Sequence, residues 1–392
     1  MNNKKTILFI NGHLQVGGVE KALVDLLSSI DYEKYNVDLL LLEGEGEYRE
    51  YVPEQVRVLQ KDTRQIDGPL VKTLFSNLLR GKIGNVLYRS VTSISKKTGS
   101  GILHCLRYLL PIRSHYDVAI AFRPGHSAEL VAYTVSAKHK FIWWHQGSVP
   151  ASDSQKQALN TLLSVFDKVV TVSEGCKQLL VSSFSITDNR FAVVPNIVNV
   201  DKLRDLAGNQ DPFHEKDKVR IVTVSRFAPE KHLEDAVEAA ALLSRKFEFI
   251  WYIIGDGCEY DRISGLVKQK GLEERVILPG RIANPYPYIK HANLMVHPSH
   301  VESLCIAVLE AMALEVPCVV VRSIGPESFI ENGYNGILVE KGPEGIHKGI
   351  SEVNNMNSYQ LSILTANAFR TVESRFLPEV IFESFERLID EQ

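Results

Sequence analysis

Short apolar runs rich in β-branched residues, each followed by a stretch of helical period, recur along almost the whole chain. In the first half they stand at 6–11, 37–42, 117–122, 141–144, 168–172 and 191–195. The second half repeats the pattern at 219–225, 249–255, 275–280, 292–297, 316–322 and 336–340. Strands this uniformly apolar are buried on both faces, which is the situation of a parallel sheet sandwiched between helices. The intervening segments agree. Val19, Leu23, Leu26 and Leu27 fall on one face of a helix, and further helices are expected near 233–246, 259–270, 304–314 and 344–355. Between the halves, 201–217 is polar and contains Gly208, Asn209, Asp211 and Pro212, so it reads as a linker. The expected architecture is α/β, with two doubly wound domains at 1–200 and 218–370. A helical stretch at 371–392 follows, able to cross back to the first domain. Such sheets bind ligands at the carboxyl ends of their strands, and two facing domains would enclose a cleft.

A chain of 392 residues with 45% hydrophobic and 23% charged residues suits two or three soluble domains, and excludes disordered, collagenous and coiled-coil classes. No run of 18 apolar residues exists, and the opening MNNKKT leads into a strand-like run rather than a signal peptide. The five cysteines are odd in number, scattered and free of any CxxC, as expected of thiols in a reducing cytoplasm. The net charge of −3 conceals an asymmetry. Residues 68–116 contain no acid but eight bases, and without them the chain holds 36 basic against 47 acidic residues, a balance of −11. A basic block within an acidic body points to a charged partner.

Three constellations stand at expected strand ends. After the run ending at His297 come Glu302 and Glu310; on one straight helix their offset would separate them by about 80°. We expect instead that Glu302 lies in the loop and that Ser303 caps a helix running to Leu314. The backbone N–H groups of Ser303, Leu304 and Cys305 would then be placed to hold a phosphate. After the first strand of the second half comes Ser225-Arg226-Phe-Ala-Pro-Glu-Lys231, a guanidinium fork and an ammonium suited to a diphosphate, or else a solvated loop pair. After the chain's first strand, Gly17-Gly18 permits close approach of a ligand to a helix N-terminus. It is neither GxGxxG nor a P-loop, which argues against NAD or ATP.

These elements, with VVPN at 193–196, IIGDG at 253–257 and ENGYNGILV at 331–339, occur in an order that resembles a family 4 retaining glycosyltransferase of the GT-B fold over nearly the whole chain. The resemblance implies two Rossmann-like domains and a nucleotide-sugar donor, with a UDP-sugar expected. It implies that Arg226 and Lys231 bind the donor diphosphate, Glu302 the sugar hydroxyls and Glu310 the ribose. Gly17, Gly18 and Gly255 would line the donor path. His145, in FIWWHQG, matches an active-site histidine, though it also reads as a strand-end histidine capping backbone. Arg123 and His126 could line the acceptor side, or be a loop arginine and a helix-capping histidine. Trp143 and Trp144 read as core or cleft wall. Where the family commonly has Glu-Gly-Phe, this chain has Glu302-Ser303-Leu304, which bears on the identity of the donor sugar. With no DxD motif, no metal or resident cofactor is expected, and the Glu43–Glu47 loop reads as solvated.

Electrostatics gives the expected chemistry: two cations and a helix N-terminus stabilise the charge that develops on a departing diphosphate. The resemblance adds same-face attack, with that phosphate taking the acceptor's proton. The basic block, with Leu70, Leu74, Leu78, Leu79, Val86 and Leu87, fits an interfacial contact with an anionic membrane, close to a lipid-linked or glycan acceptor, or else a merely solvated insertion. Nucleic acid is disfavoured by the acidic remainder and the absence of a recognised module. The expected location is the inner face of the cell membrane. Two other functions share these features: a nucleotide-sugar epimerase and a catalytically silent sugar-nucleotide-binding subunit.

Overall fold

The computed structural model describes residues 4–42, 46–60, 69–98, 112–150, 152–215 and 217–391. The chain divides into two compact units. Unit 1 comprises Met1–Val172, Lys177–Pro195 and Phe382–Gln392; unit 2 comprises Ser173–Cys176 and Asn196–Ile381. Each contains one all-parallel sheet.

The sheet of unit 1 has seven strands: β1 (Lys5–Asn11), β2 (Tyr35–Leu41), β3 (Arg57–Gln60), β4 (Ile112–Ala121), β5 (Val135–Trp144), β6 (Lys168–Thr171) and β7 (Phe191–Val193). They lie in the order β3-β2-β1-β4-β5-β6-β7. Unit 2 has six: β8 (Val219–Val224), β9 (Phe249–Ile254), β10 (Val276–Ile277), β11 (Leu294–His297), β12 (Cys318–Val321) and β13 (Ile337–Val339), ordered β10-β9-β8-β11-β12-β13. Both therefore contain the doubly wound order 3-2-1-4-5-6, which reverses between β1 and β4 and again between β8 and β11. These are two Rossmann-like α/β domains, as the alternating runs imply. Helices connect the parallel strands, as parallel pairing requires.

The apolar runs become the cores. In unit 1, Leu8, Ile10, Ala119, Ile142 and Val169 pack with Leu130, Leu163 and Leu180 from the helices. In unit 2, Ile221, Trp251, Val296 and Val319 pack with Leu233, Val237, Ile263 and Ile346. Several polar groups in these interiors are paired, which spares them an unmade hydrogen bond. Trp251 Nε1 donates to Thr223 Oγ1 (3.0 Å), whose hydroxyl donates to the Val296 carbonyl (2.7 Å), linking β9, β8 and β11. Buried Asp38 accepts from Tyr116 Oη (2.7 Å) and from Arg57 Nε (2.9 Å), fastening β4 and β3 to β2. Phe385, in the closing helix Pro378–Asp390, stacks on Phe9, and Lys5 pairs with Asp390 at 2.8 Å, so residues 382–392 pack into unit 1.

Two segments differ from the sequence expectation. Val200–Ala207 is helical rather than an open linker: Asn199 accepts from the Lys202 amide, and Val200, Leu203 and Ala207 bury one face. The strand β3 is short and partly polar, and its alternation is too weak to stand out. Within 68–116 the structure shows helices Leu70–Leu79 and Ile83–Thr98 packed on each other, with Val91 against the core of unit 1. Exposed on this hairpin are Val71, Phe75, Leu78, Leu79, Ile83, Leu87 and Ile94, along with Lys72, Arg80 and Lys82. Cys105 and Arg107 lie outside the described residues, as do Glu43 and Glu45 and the side chains of Lys96, Lys97 and Arg113. Among the described residues, no helix is long and apolar enough to cross a membrane.

Candidate active site

In unit 2 the carboxyl ends of β8 and β11 flank the point where strand order reverses, and their loops carry most of the expected donor residues. Lys231 ends the short 3₁₀ turn Pro229–Lys231 after β8, and Glu302 lies in the loop after β11. Lys231 Nζ donates to Glu302 Oε1 at 2.6 Å. His297, the last residue of β11, places its Nε2 at 2.7 Å from the same oxygen. All three side chains are largely buried. Burial alone would raise the Glu302 pKa, but the hydrogen bond and charge of His297, with Lys231, hold it down to about 2. Glu302 is thus a fully ionised, buried carboxylate held by two donors. Losing one partner of such a group costs about 3–5 kcal/mol.

The loops that carry this pair are held by glycines. Gly255 and Gly257, both at positive φ, lie so close to the 225–227 loop that a Cβ would stand 1.8 Å from the Ser225 carbonyl oxygen and 2.3 Å from that of Phe227. Gly255 therefore serves the packing of the Arg226–Lys231 loop. Gly325 donates its N–H to the Glu302 carbonyl, and a Cβ there would sit 2.6 Å from the Ser303 carbonyl carbon. Ser299 Oγ and the His300 amide both bond the Glu230 carbonyl, tying the two loops together. Arg226 is 71% exposed, and its guanidinium pairs with Glu230 at 3.0 Å.

Ser303 does not cap the following helix. That helix is Ile306–Ala313, and Cys305 precedes it in a left-handed conformation (φ 73°), turning the chain into the first turn two residues later than expected. Leu304 and Cys305 are buried, and the Cys305 thiol is pushed well up by burial, then by Glu302. The backbone donors of the helix start are consequently not those of Ser303 and Leu304. Glu310, buried in the second turn, accepts from Tyr286 Oη at 3.0 Å.

In unit 1, Gly17 precedes the helix Gly18–Ser29, whose buried Glu20 folds back over it. Glu20 accepts from Arg123 Nη1 at 3.2 Å and lies 3.7 Å from His13 Nδ1, so Arg123 at the end of β4 meets the end of β1. His145 follows β5 with its ring 4.8 Å from that of Phe122 and its Nε2 buried without a partner. Burial, then Arg123, push its pKa down to about 3 against a backbone hydrogen bond at Phe122, so the imidazole is neutral at physiological pH. His126 opens the helix His126–Tyr133, 3.6 Å from Glu129. Trp143 and Trp144 are fully buried and belong to the core.

The sequence motifs thus separate into a cation–carboxylate set in unit 2 and a Glu–Arg–His set in unit 1. Sequence reasoning missed His297, Tyr286 and Glu20. His297 was visible as the polar residue ending an otherwise apolar strand, and Glu20 as the acid in the first turn of a helix. Tyr286 gave no local signal.

Residues 208–368 match the family model "Glycosyl transferases group 1". They are a glycosyl transferases group 1 domain. That domain contains Lys231, His297, Glu302 and Glu310. The chain is 34% identical over 128 residues to the N-acetyl-alpha-D-glucosaminyl L-malate synthase of Bacillus anthracis, covering 33% of each chain. It is 24% identical to a Campylobacter jejuni N-acetylgalactosaminyltransferase acting on a diphospho-undecaprenol-linked sugar, over 83% of each chain. The first five curated relatives are matched over only 33% to 60% of their own lengths. Among solved structures, Anabaena HepE in complex with UDP and glucose superposes with a TM-score of 0.72 at 16% identity, over 99% of this chain and 100% of that one. The group 1 domain is therefore one half of a two-domain fold shared with GT-B glycosyltransferases.

Proposed function

We propose that the chain is a retaining glycosyltransferase of family 4, moving a sugar from a nucleotide-diphosphate donor, a UDP-sugar, to a lipid-linked or polysaccharide-precursor acceptor. The observation that carries this reading is the buried Lys231–Glu302–His297 network at the strand-order reversal of the group 1 domain. Arg226 and Lys231 receive the diphosphate, and Glu302, ionised and fixed, accepts hydrogen bonds from the sugar. Glu310 takes the ribose hydroxyls, its carboxylate oriented by Tyr286. As the anomeric C–O bond breaks, its electron pair stays on the diphosphate, whose added charge the two cations stabilise by several kcal/mol. The acceptor oxygen bonds the anomeric carbon on the same face and passes its proton to the departing phosphate oxygen. No DxD motif is available for Mg²⁺, and these steps need none. The curated relatives named for lipid-linked and polymeric acceptors support the acceptor class, with His145, Arg123 and His126 serving the acceptor side.

The helical hairpin supports attachment to the inner face of an anionic membrane. Its exposed apolar residues, Val71 at 80% and Leu79 at 72% among them, stand beside Lys72, Arg80 and Lys82. Apolar insertion and attraction to acidic headgroups would add.

A panel of UDP-, GDP- and dTDP-sugars tests the assignment. Slow hydrolysis of one UDP-sugar, lost in Lys231→Ala and Glu302→Gln, is expected. A new sugar isomer would indicate an epimerase, binding without turnover a silent subunit, and wild-type rates in both variants would overturn the site.

A further inference from the structure

Beside the donor residues stands a second cluster that the transfer reaction does not use. His232, Asp235 and His300 present ligand atoms within 4.8 Å of one another. Asp235 Oδ2 is 2.9 Å from His300 Nε2 and 4.0 Å from His232 Nδ1. The two imidazoles lie nearly parallel, 13° apart in plane with centroids separated by 3.4 Å. All three side chains are partly exposed, so an ion can reach them.

The backbone at His232 is unusual. It adopts φ 46° and ψ 45°, left-handed for a non-glycine residue, directly before the helix Leu233–Leu243. An L-residue pays roughly 1–2 kcal/mol for that region, which suits glycine or asparagine. The histidine side chain does not cap the helix in return. Its ring is instead directed to Asp235, in the first turn, and to His300, whose own backbone is fixed by the Glu230 carbonyl. Glu234 Oε1, 3.6 Å from His232 Nδ1, is a competing partner, but it also holds Arg262 at 3.0 Å.

We infer that His232, Asp235 and His300 form a binding site for a zinc-type divalent transition-metal ion, distinct from the donor-binding residues. Two imidazole nitrogens and one carboxylate oxygen, with a fourth position open to water, are the ligand set of Zn²⁺ with three protein ligands. Magnesium and calcium, which prefer all-oxygen shells, do not fit. Bonds near 2.0–2.2 Å would place neighbouring ligand atoms about 3.4 Å apart. His300 and Asp235 are already closer than that, whereas His232 Nδ1, 4.0 Å from the carboxylate oxygen, reaches the ion only once its ring swings out of the stack with His300. The ion would bridge the loop after β8 to the loop after β11. His232 follows Lys231 and His300 precedes Glu302 by two residues, so occupancy would clamp together the two loops of the candidate active site. That consequence rests on the proposed function; the metal site itself does not.

Titration of the untagged full chain with ZnCl₂ by calorimetry, with native mass spectrometry for stoichiometry, tests it without any sugar donor. One Zn²⁺ per chain is expected, along with a rise in melting temperature that EDTA reverses. His300→Gln, Asp235→Asn and His232→Asn should each weaken binding by about tenfold or more, since even outer partners of metal ligands contribute that much. His232→Asn keeps a residue that tolerates the left-handed backbone, so its fold is retained. Cys305→Ser should leave zinc affinity unchanged. Undiminished affinity in all three cluster variants would overturn the inference, as would loss only in Cys305→Ser, which would place the ion at His297, Glu302 and Cys305. Donor hydrolysis measured in the same samples separates failure of this site from failure of the proposed transfer.

Discussion

The two units share a strand order but present different chemistry at the carboxyl ends of their strands. In unit 2 a carboxylate is buried and kept ionised, because Lys231 and His297 converge on one oxygen of Glu302. In unit 1 an imidazole, His145 after β5, is kept neutral by burial and then by the charge of Arg123, while Arg123 itself is engaged by Glu20. The same backbone scaffold thus holds a buried ionised carboxylate in one half and a neutral imidazole beside a Glu20–Arg123 pair in the other. Function resides in the loops grafted onto the fold rather than in the fold.

The sharpest way to break that comparison is to remove the charges of unit 2. Lys231→Ala should lower donor turnover by about 10²–10³-fold, the scale of a lost electrostatic donor. His145→Gln should leave donor hydrolysis within severalfold of wild type while reducing transfer to an acceptor. Equal losses of hydrolysis in both variants would erase the distinction. Next in size, Gly255→Ala should destabilise the fold by about 2–3 kcal/mol, combining backbone strain with the collision at Ser225. Urea unfolding monitored by circular dichroism reads this directly.

The pH dependence should separate the two units. The Glu302 carboxyl is held below its ordinary value of 4.5, down to about 2, so its contribution is complete above about pH 4.5 and is lost as pH falls toward 2. His145, with a folded pKa of about 3 against 6.5, is protonated first in the unfolded chain. Stability should therefore fall as pH drops from about 6.5 and level off near 3. Unfolding midpoints measured from pH 8 to pH 3 should lose the upper slope in His145→Gln and the lower slope in Glu302→Gln. Smallest in energy is the hairpin: Phe75→Ser with Leu79→Ser should change stability by no more than about 0.5 kcal/mol, since both are exposed. The pair should nonetheless reduce co-sedimentation with anionic vesicles, and unchanged sedimentation would remove the membrane assignment.

Much of the fold was legible because a doubly wound sheet writes itself as apolar runs, and twelve of the strands lie on the runs read from sequence. The exceptions have local causes. Arg57–Gln60 joins the edge of its sheet, where polar side chains are tolerated, and leaves little periodic trace. Residues 200–207 are polar in composition, yet Asn199 caps them and three apolar residues at helical spacing anchor them. At the site, Ser303 looked like a cap, but the left-handed Cys305 sets the helix start, and no side chain announces such a turn. The meeting of Lys231 with Glu302 spans 71 residues, and Tyr286 with Glu310 spans 24. Pairings of that kind come from the folding of the sheet, which local spacing does not encode.

The closing helix sets a schedule for synthesis. Phe382–Gln392 belong to unit 1, where Phe385 stacks on Phe9 and Asp390 pairs with Lys5. Most of unit 1 leaves the ribosome before unit 2 is made, and at about 5–20 residues per second the intervening two hundred or so take about 10–40 seconds. Throughout that interval the first sheet would leave Phe9 without its stacking partner and Lys5 without its counter-ion. Its apolar surface must then be tolerated as a folding intermediate until Phe382–Gln392 cover it.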